Sequence, residues 1–197
     1  MDTARYFAAL SVLIIIPTAF VLWAPIHGFS AFWRQFGFFG TYGILSIPAG
    51  GATAVIVIFR DMLLQIDFGG NSGTAGLSLL CWISMIGIST QCRQHLTFSI
   101  LAGVPELAPR NYPGKLLTEG IYASIRHPRY VSVILWLFGC VLFANYLMPY
   151  MVFIMGIPGM YLLVWLEERE LRQRFGVRYD AYCREVPRFV PRLRRKA

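Results

Sequence analysis

Charged side chains are scarce in this 197-residue chain. They make up 14% of it, while 56% of the residues are hydrophobic and the mean hydropathy is +0.55. A water-soluble domain carries roughly 25% charged residues. Because so little charge leaves too little polar surface for a soluble fold, the composition indicates a membrane protein. The length suits one domain spanning residues 1–197.

Paired cysteine motifs and nucleotide-binding loops are also missing. The four cysteines have no C-x-x-C spacing, so the sequence predicts neither a disulfide framework nor a metal site. The glycine-rich run at residues 69–73 matches neither G-x-G-x-x-G nor a phosphate-binding loop, and we interpret it as a turn.

Basic residues are few in the first half of the chain and concentrated at its end. Residues 1–92 hold three basic and three acidic residues, whereas residues 167–197 hold ten of the eighteen basic residues against five acids. In a soluble protein such a tail indicates nucleic acid. Behind long apolar runs it indicates the cytoplasmic side of a membrane and anionic lipid headgroups, so no nucleic-acid partner is predicted.

Five apolar runs predict an all-α, polytopic membrane protein with about five transmembrane helices. A helical crossing needs about 20 residues. The last two runs are shorter and predict a C-terminal helical hairpin that turns near residues 145–149. Residues 1–96 would hold the N-terminal helices, and residues 97–197 the hairpin and basic tail. Glycines in the second run predict close helix packing. The runs are Tyr6–Ala24, Phe36–Phe59, Ala75–Cys92, Tyr130–Met148 and Tyr150–Leu166.

Two polar clusters stand beside this hairpin. One lies within residues 115–130, before the fourth apolar run, and the other, residues 167–170, follows the fifth. The second cluster is predicted to be an exposed helix with i,i+4 pairs, Glu168 with Arg172 and Glu170 with Arg174, ended by Gly176. Because the hairpin returns the chain to the same membrane face, we expect the two clusters to form one site.

The residue types suit a zwitterionic ligand. Pro128 is placed to begin a helix, which leaves His127 and free backbone amides at a helix N-terminus that favours a carboxylate. Glu167 and Glu168, at the membrane boundary, suit an ammonium or sulfonium group. Residues 115–122 offer apolar side chains and amides for a purine-like group. Taken singly, each cluster also fits an interfacial anchor or a solvated helix face.

The same residues resemble a known family. The isoprenylcysteine carboxyl methyltransferase and phospholipid methyltransferase superfamily has a similar pattern, which here covers about residues 114–191. It reads Leu116-x3-Gly120-x-Tyr122-x3-Arg126-His127-Pro128-x-Tyr130, then an apolar hairpin, then Glu167-Glu168-x2-Leu171-x3-Phe175-Gly176-x2-Tyr179-x2-Tyr182-x3-Val186-Pro187-Arg188-x2-Pro191.

The resemblance implies a methyltransferase that uses S-adenosylmethionine at the cytoplasmic membrane face. It implies a set of cofactor contacts, with Glu168 as a further candidate: Lys115, Leu116, Leu117, Tyr122, His127, Pro128, Tyr130 and Glu167. Family members that act on prenylcysteine carry an arginine four residues before the cofactor glutamate, and this chain has Leu163 there. The acceptor is therefore left open among lipophilic carboxylates, amines and thiols, including lipids.

Two other function classes also fit the sequence. The C-terminal run from Tyr179 to Pro187 also resembles the end of sterol reductases, which use NADPH but lack the Arg-His-Pro-x-Tyr pattern. A membrane scaffold without enzymatic activity, bound to anionic lipid through its basic tail, is the third possibility.

Overall fold

The computed structural model describes residues 2–94 and 115–192, and within these ranges it contains helices and no named strand. Short 3-10 turns at Arg34–Phe36 and Gly120–Ala123 accompany the helices. The all-α prediction is confirmed. The helices are α1 Asp2–Gly28, α2 Ser30–Trp33, α3 Gly37–Ile58, α4 Arg60–Leu63, α5 Ser72–Arg93, α6 Pro128–Ala144, α7 Leu147–Phe175 and α8 Val177–Glu185.

Four segments are long and apolar enough to cross a membrane: α1, the stretch Ser30–Ile58 that includes α3, α5 and α7. The fifth predicted span, α6, is shorter, with 17 residues. Asn145, at φ 58°, ends α6 and lets the chain turn directly into α7, which confirms the helical hairpin. The boundary proposed at residues 96 and 97 and tail residues 193–197 lie outside the described residues.

Helix α1 lies in the centre of the bundle and packs against α3, α6 and α7. Its buried Val12 and Ile16 join Leu137, Val141 and Phe153 in one apolar core. The outer faces of α3 and α5 leave large apolar side chains exposed, as expected for surfaces that contact lipid. These side chains include Phe39, Ile47, Ile58, Leu80 and Ile83.

Close approach between helices occurs at a glycine that the sequence did not single out. A Cβ added to Gly139 would lie 2.5 Å from Nε1 of Trp82, so only glycine lets α6 meet α5 there. Ser78 Oγ donates a hydrogen bond to the Gly139 carbonyl at 2.7 Å. A Cβ added at Gly43 or Gly50 of α3 would meet nothing within 4 Å. The prediction that glycines of the second apolar run mediate packing is therefore wrong for these two positions.

A buried arginine stabilises one end of the bundle. Arg5, 2% exposed, donates from Nε to the Ala144 carbonyl at 3.0 Å and forms an ion pair with Asp67. Its guanidinium also lies 5.3 Å from the centre of the Tyr146 ring. Burial alone would raise the pKa of Asp67, but hydrogen bonds from Arg5 and the Gly69 amide outweigh it and lower that pKa. This cluster joins the hairpin turn to the start of α1.

We expect Asp67→Asn to lower the free energy of unfolding by about 1–3 kcal/mol, because the buried guanidinium of Arg5 loses the closer of its two carboxylate partners and keeps only the exposed Asp2. The lowered pKa means that this contribution is present above about pH 4 and is lost on acidification. Thermal unfolding in detergent measures the change. Asp61→Asn is the matched control, since Asp61 is 87% exposed, and an equal loss in both variants would contradict the prediction.

Candidate functional site

The two polar clusters meet at the other end of the bundle, where α1 ends, α6 begins and α7 passes out of the apolar layer. We call this the cleft end. Its backbone is fixed by the segment after α8: the amides of Arg126 and His127 donate to the carbonyls of Pro187 and Arg188 at 2.9 and 3.0 Å. As predicted, Pro128 is the first residue of α6 and His127 is its N-cap. The free amides of the α6 N-terminus therefore lie beside the His127 ring.

Glu168 is the electrostatic centre of this end and is fully buried. Its Oε1 lies 3.1 Å from His127 Nε2 and 3.1 Å from Arg126 Nη2. Arg188 binds both carboxylate oxygens, at 3.1 and 2.8 Å, and Arg172 lies 3.8 Å away. The hydrogen bond to Glu168 raises the pKa of Arg188 above its ordinary value.

The prediction of an exposed helix from residue 167 onward is wrong at two positions. Glu168 does pair with Arg172, but it is buried under cations from three separate segments. Glu170 is 5% exposed and lies 3.6 Å from both His27 Nδ1 and Arg34 Nη2. It thus links α7 to the end of α1 and the segment that follows.

An aromatic cluster forms the base of the cleft. Tyr179 and Tyr182 of α8 pack against Leu116 and Leu171. Tyr182 donates a hydrogen bond to the Tyr122 carbonyl at 2.6 Å, and burial raises the pKa of Tyr182 to about 12, so this donor stays protonated at neutral pH. Burial likewise raises the pKa of Tyr122. These contacts hold residues 116–122 against the C-terminal helix.

These elements enclose a cleft with roughly 940 Å³ of empty space, counting its open mouth. Eight of the nine residues predicted to contact the cofactor line it, and Glu168 lies behind the wall, holding His127. The eight are Lys115, Leu116, Leu117, Tyr122, His127, Pro128, Tyr130 and Glu167.

Glu167 differs from its neighbour because it faces the cleft. Its Oε2 is buried and, among the residues described, accepts no hydrogen bond; His127 Nδ1 lies 4.0 Å away. A buried carboxylate oxygen without a donor is costly unless a cation or donor approaches it. The first residues of α6 and Arg126 also line the cleft, and the free amides of a helix N-terminus and a guanidinium suit an anion. A carboxylate, anion-binding groups and apolar side chains in one cleft fit a zwitterionic cofactor with a cationic centre.

Sequence reasoning missed the part of the wall that α1 contributes. Trp23 and His27 both line the cleft, and their rings stack with centroids 5.4 Å apart. The guanidinium of Arg129 lies over Trp23, 5.4 Å from the ring centroid. No local pattern marks Trp23, which lies within an apolar run. Four other lining residues belong to the family-like sequence pattern but were not predicted to contact the cofactor: Leu171, Phe175, Tyr179 and Tyr182.

A second cavity adjoins the cleft and lies between α1, α6 and α7. It contains roughly 1010 Å³ of empty space and is lined almost entirely by apolar side chains, Ala19 and Leu163 among them. Trp23, Arg129 and Tyr130 line both cavities and form their shared wall. We call this second space the apolar cavity.

The structure offers no evidence for a metal centre in the part of the chain that it describes: residues 2–94 and 115–192 contain no cluster of three or more His, Cys, Asp or Glu side chains placed to hold an ion.

Comparison with known proteins agrees with the geometry, although no protein-family model matches the chain. The chain is 29% identical over 119 residues to a protein-S-isoprenylcysteine O-methyltransferase of Schizosaccharomyces pombe, a match covering 60% of this chain and 49% of that protein. It therefore spans about half the length of that relative. It is also 27% identical over 198 residues to protein-S-isoprenylcysteine O-methyltransferase B of Arabidopsis thaliana, covering 92% of this chain and 90% of that protein. The chain is thus similar to protein-S-isoprenylcysteine O-methyltransferases, and these relatives support its assignment to the isoprenylcysteine carboxyl methyltransferase superfamily.

Proposed function

We propose that this protein transfers a methyl group from S-adenosylmethionine to a lipophilic acceptor at the cytoplasmic face of a membrane. The observation that carries the proposal is the pair of adjoining cavities. One is lined by both charged and apolar residues and holds the predicted cofactor residues, the other is apolar, and the two share one wall. The curated relatives, whose names describe methyl transfer, support the same reaction class.

The cleft has the charges that such a donor needs. S-adenosylmethionine supplies a sulfonium-bound methyl group, together with a carboxylate, an ammonium group and an adenine ring. Glu167 offers its buried Oε2 to a cationic group, while the α6 N-terminus and Arg126 attract the carboxylate. His127, held by Glu168, keeps a fixed orientation in the wall. The chain therefore contributes mainly by positioning the donor in a water-poor site.

The apolar cavity suits the acceptor. Its walls come from helices that cross the apolar layer, so an amphiphile would enter from the bilayer with its chain in this space. Leu163 lies in the wall and is 5% exposed, which makes this part of the cavity apolar. Methyl transfer would take place at the shared wall, where the two cavities meet.

The charges support a cytoplasmic position for the cleft. Arg34, Arg126 and Arg129 lie at the cleft end, together with the basic residues of α8. The opposite end carries three acids, Asp2, Asp61 and Asp67, against two bases, Arg5 and Arg60. Short membrane loops with excess arginine and lysine stay on the cytoplasmic side.

Calorimetry in detergent tests the donor. We expect binding heat on addition of S-adenosylmethionine and none on addition of NADPH. Heat with NADPH alone would favour the reductase reading, and heat with neither would favour a scaffold without enzymatic activity. Methyl transfer from radiolabelled S-adenosylmethionine to fractionated lipids, long-chain acids, amines and thiols then identifies the acceptor.

Filling the apolar cavity is expected to weaken binding of the acceptor without affecting binding of the methyl donor. Ala19→Phe should raise the KM for the acceptor about tenfold, because the ring occupies the space of the apolar chain, and should leave the affinity for S-adenosylmethionine unchanged. The control is Leu77→Phe on α5, where the side chain is 54% exposed to lipid. Equal kinetics in both variants would place the acceptor elsewhere.

A further inference from the structure

A third cavity at the cleft end is separate from both the cleft and the apolar cavity. It lies between the end of α1, α2 and one face of α7, and it contains roughly 690 Å³ of empty space, counting its open mouth. Of its lining residues, only His27 also lines the cleft, and none lines the apolar cavity. We call this space the α2 cavity. The proposed methyl transfer gives it no role.

The wall that α7 provides changes from apolar to polar along the helix. Leu166, Arg169, Glu170 and Gln173 line the cavity, and residues spaced by three and four lie on one face of a helix. Leu166 ends the fifth apolar run, and the three polar residues follow it where α7 passes out of the apolar layer. The cavity therefore lies at the level where lipid acyl chains give way to headgroups.

The wall that the start of α2 provides is aromatic and exposed. Phe29 and Phe32, which are 69% and 54% exposed, both line the cavity. Exposed apolar surface with polar groups at its rim is typical of ligand-binding grooves and of membrane-interaction sites. An amphiphile fits this arrangement, with its apolar part against the phenylalanines and its polar part beside the polar residues of α7.

The charges around the α2 cavity leave one guanidinium without a counter-charge. Glu170 is 5% exposed and lies 3.6 Å from both Arg34 Nη2 and His27 Nδ1, so its charge is already compensated. Arg169 is exposed and forms no ion pair or hydrogen bond with the part of the chain that the structure describes. Arg172, on the same helix, has two carboxylate partners. Arg169 is therefore available to an anionic ligand.

Two neutral donors in the cavity are available as well. Neither the Ser30 hydroxyl nor the Gln173 amide forms a side-chain hydrogen bond within the described residues. With Arg169, they offer a guanidinium, a hydroxyl and an amide to one ligand. Phosphate oxygens accept hydrogen bonds from all three, and the planar guanidinium of arginine binds phosphate in a bidentate manner. Two guanidinium groups, of Arg34 and Arg169, against one carboxylate also favour a ligand of net negative charge.

We propose that the α2 cavity binds the phosphodiester headgroup of an anionic membrane phospholipid. Arg169 contacts the phosphate, Ser30 and Gln173 donate to its oxygens, and the upper part of the acyl chains lies against Phe29 and Phe32. The inference does not depend on the proposed methyl transfer. The site is also distinct from the basic tail, because none of its residues belongs to α8 or to the segment after it.

Native mass spectrometry of the full chain in detergent tests the proposal with three probes. They are dioleoylphosphatidylglycerol, dioleoylglycerol, which has the same chains without the phosphate, and glycerophosphoglycerol, which is the headgroup without the chains. We expect the first molecule of dioleoylphosphatidylglycerol to bind at least about tenfold more tightly than either of the others, as for a charge-assisted hydrogen bond. Equal binding of dioleoylglycerol would mean apolar contact only, and equal binding of the headgroup would mean a site for a soluble phosphodiester; either result overturns the proposal.

Three variants locate the lipid. Arg169→Gln should weaken binding of the first phosphatidylglycerol about tenfold and keep the thermal unfolding temperature, because this side chain is exposed and unpaired. Arg178→Gln is the matched control and should bind the lipid as the wild type does, since Arg178 is likewise exposed and without an ion pair among the described residues, but lies on α8. Ala31→Trp fills the cavity without a change of charge and should also weaken binding about tenfold.

The outcomes that would contradict the proposal are distinct. Unchanged affinity in Arg169→Gln would mean that this guanidinium does not hold the lipid. An equal loss in Arg178→Gln would mean that the net positive charge of the protein attracts the lipid without a specific site. Unchanged affinity in Ala31→Trp would place the lipid outside the α2 cavity.

Discussion

Glu167→Gln should weaken the binding of S-adenosylmethionine by about 10- to 100-fold. The substitution keeps the shape of the side chain but removes the negative charge that faces the cationic part of the donor, and a hydrogen bond or contact to a charged group contributes about 1.5–3 kcal/mol. The buried Oε2 accepts no hydrogen bond from the described residues, so its replacement should not lower the thermal unfolding temperature of the free protein. Calorimetry and thermal unfolding in detergent measure the two quantities.

The control for this variant is Glu185→Gln, which removes the same charge at the exposed end of α8. Its affinity for S-adenosylmethionine should match that of the wild type. An equal affinity in the Glu167 variant would mean that the donor does not contact this carboxylate, and the proposed site would have to be abandoned.

Glu168→Gln, unlike Glu167→Gln, should strongly destabilise the cleft end of the free protein. The carboxylate is fully buried and compensates Arg126 and Arg188, with His127 bound to the same oxygen. Removing one partner of a buried ion pair typically costs 3–5 kcal/mol, because the other charges stay buried without compensation. We therefore expect the free energy of local opening at this end to fall by about 3 kcal/mol.

Amide hydrogen exchange measures that opening directly. The amides of Arg126 and His127 are protected by the carbonyls of Pro187 and Arg188, and both should exchange faster in the Glu168 variant. Amides of α5, which packs on α6 within the apolar layer, serve as the internal reference. The Glu167 variant is the matched control, and equal exchange in both variants would show that the buried carboxylate is not what holds the C-terminal segment.

The contrast between these two adjacent glutamates has a geometric origin. Successive residues of a helix point about 100° apart, so Glu167 and Glu168 of α7 face different surroundings. Glu167 faces the cleft, whereas Glu168 faces the segment after α8. Two identical residues in a row carry no local signal of this difference, because it depends on which segments pack on each side of α7.

The sequence alone determined the class of the protein and the local structure of the site. Apolar runs of sufficient length require helices in a bilayer, since every backbone group must be hydrogen-bonded internally. Pro128 favours the start of a helix, and Gly176, at φ 53°, favours the end of one. Both residues lie at the helix ends where they were predicted. The hairpin then returns the chain to one face, which is why eight of the nine predicted cofactor residues line one cleft.

The way in which distant segments complete the site follows from packing between helices and has no local signal in the sequence. Burial of Glu168 and Glu170 depends on cations that are far away in sequence, such as Arg188 and Arg34. Trp23 looks like any residue of an apolar run until α1 packs beside α6. Arg129 likewise lines two cavities only because α6 packs against α1 and α7. Hydropathy and helix signals act over neighbouring residues, whereas charge compensation and cavity shape depend on packing between elements.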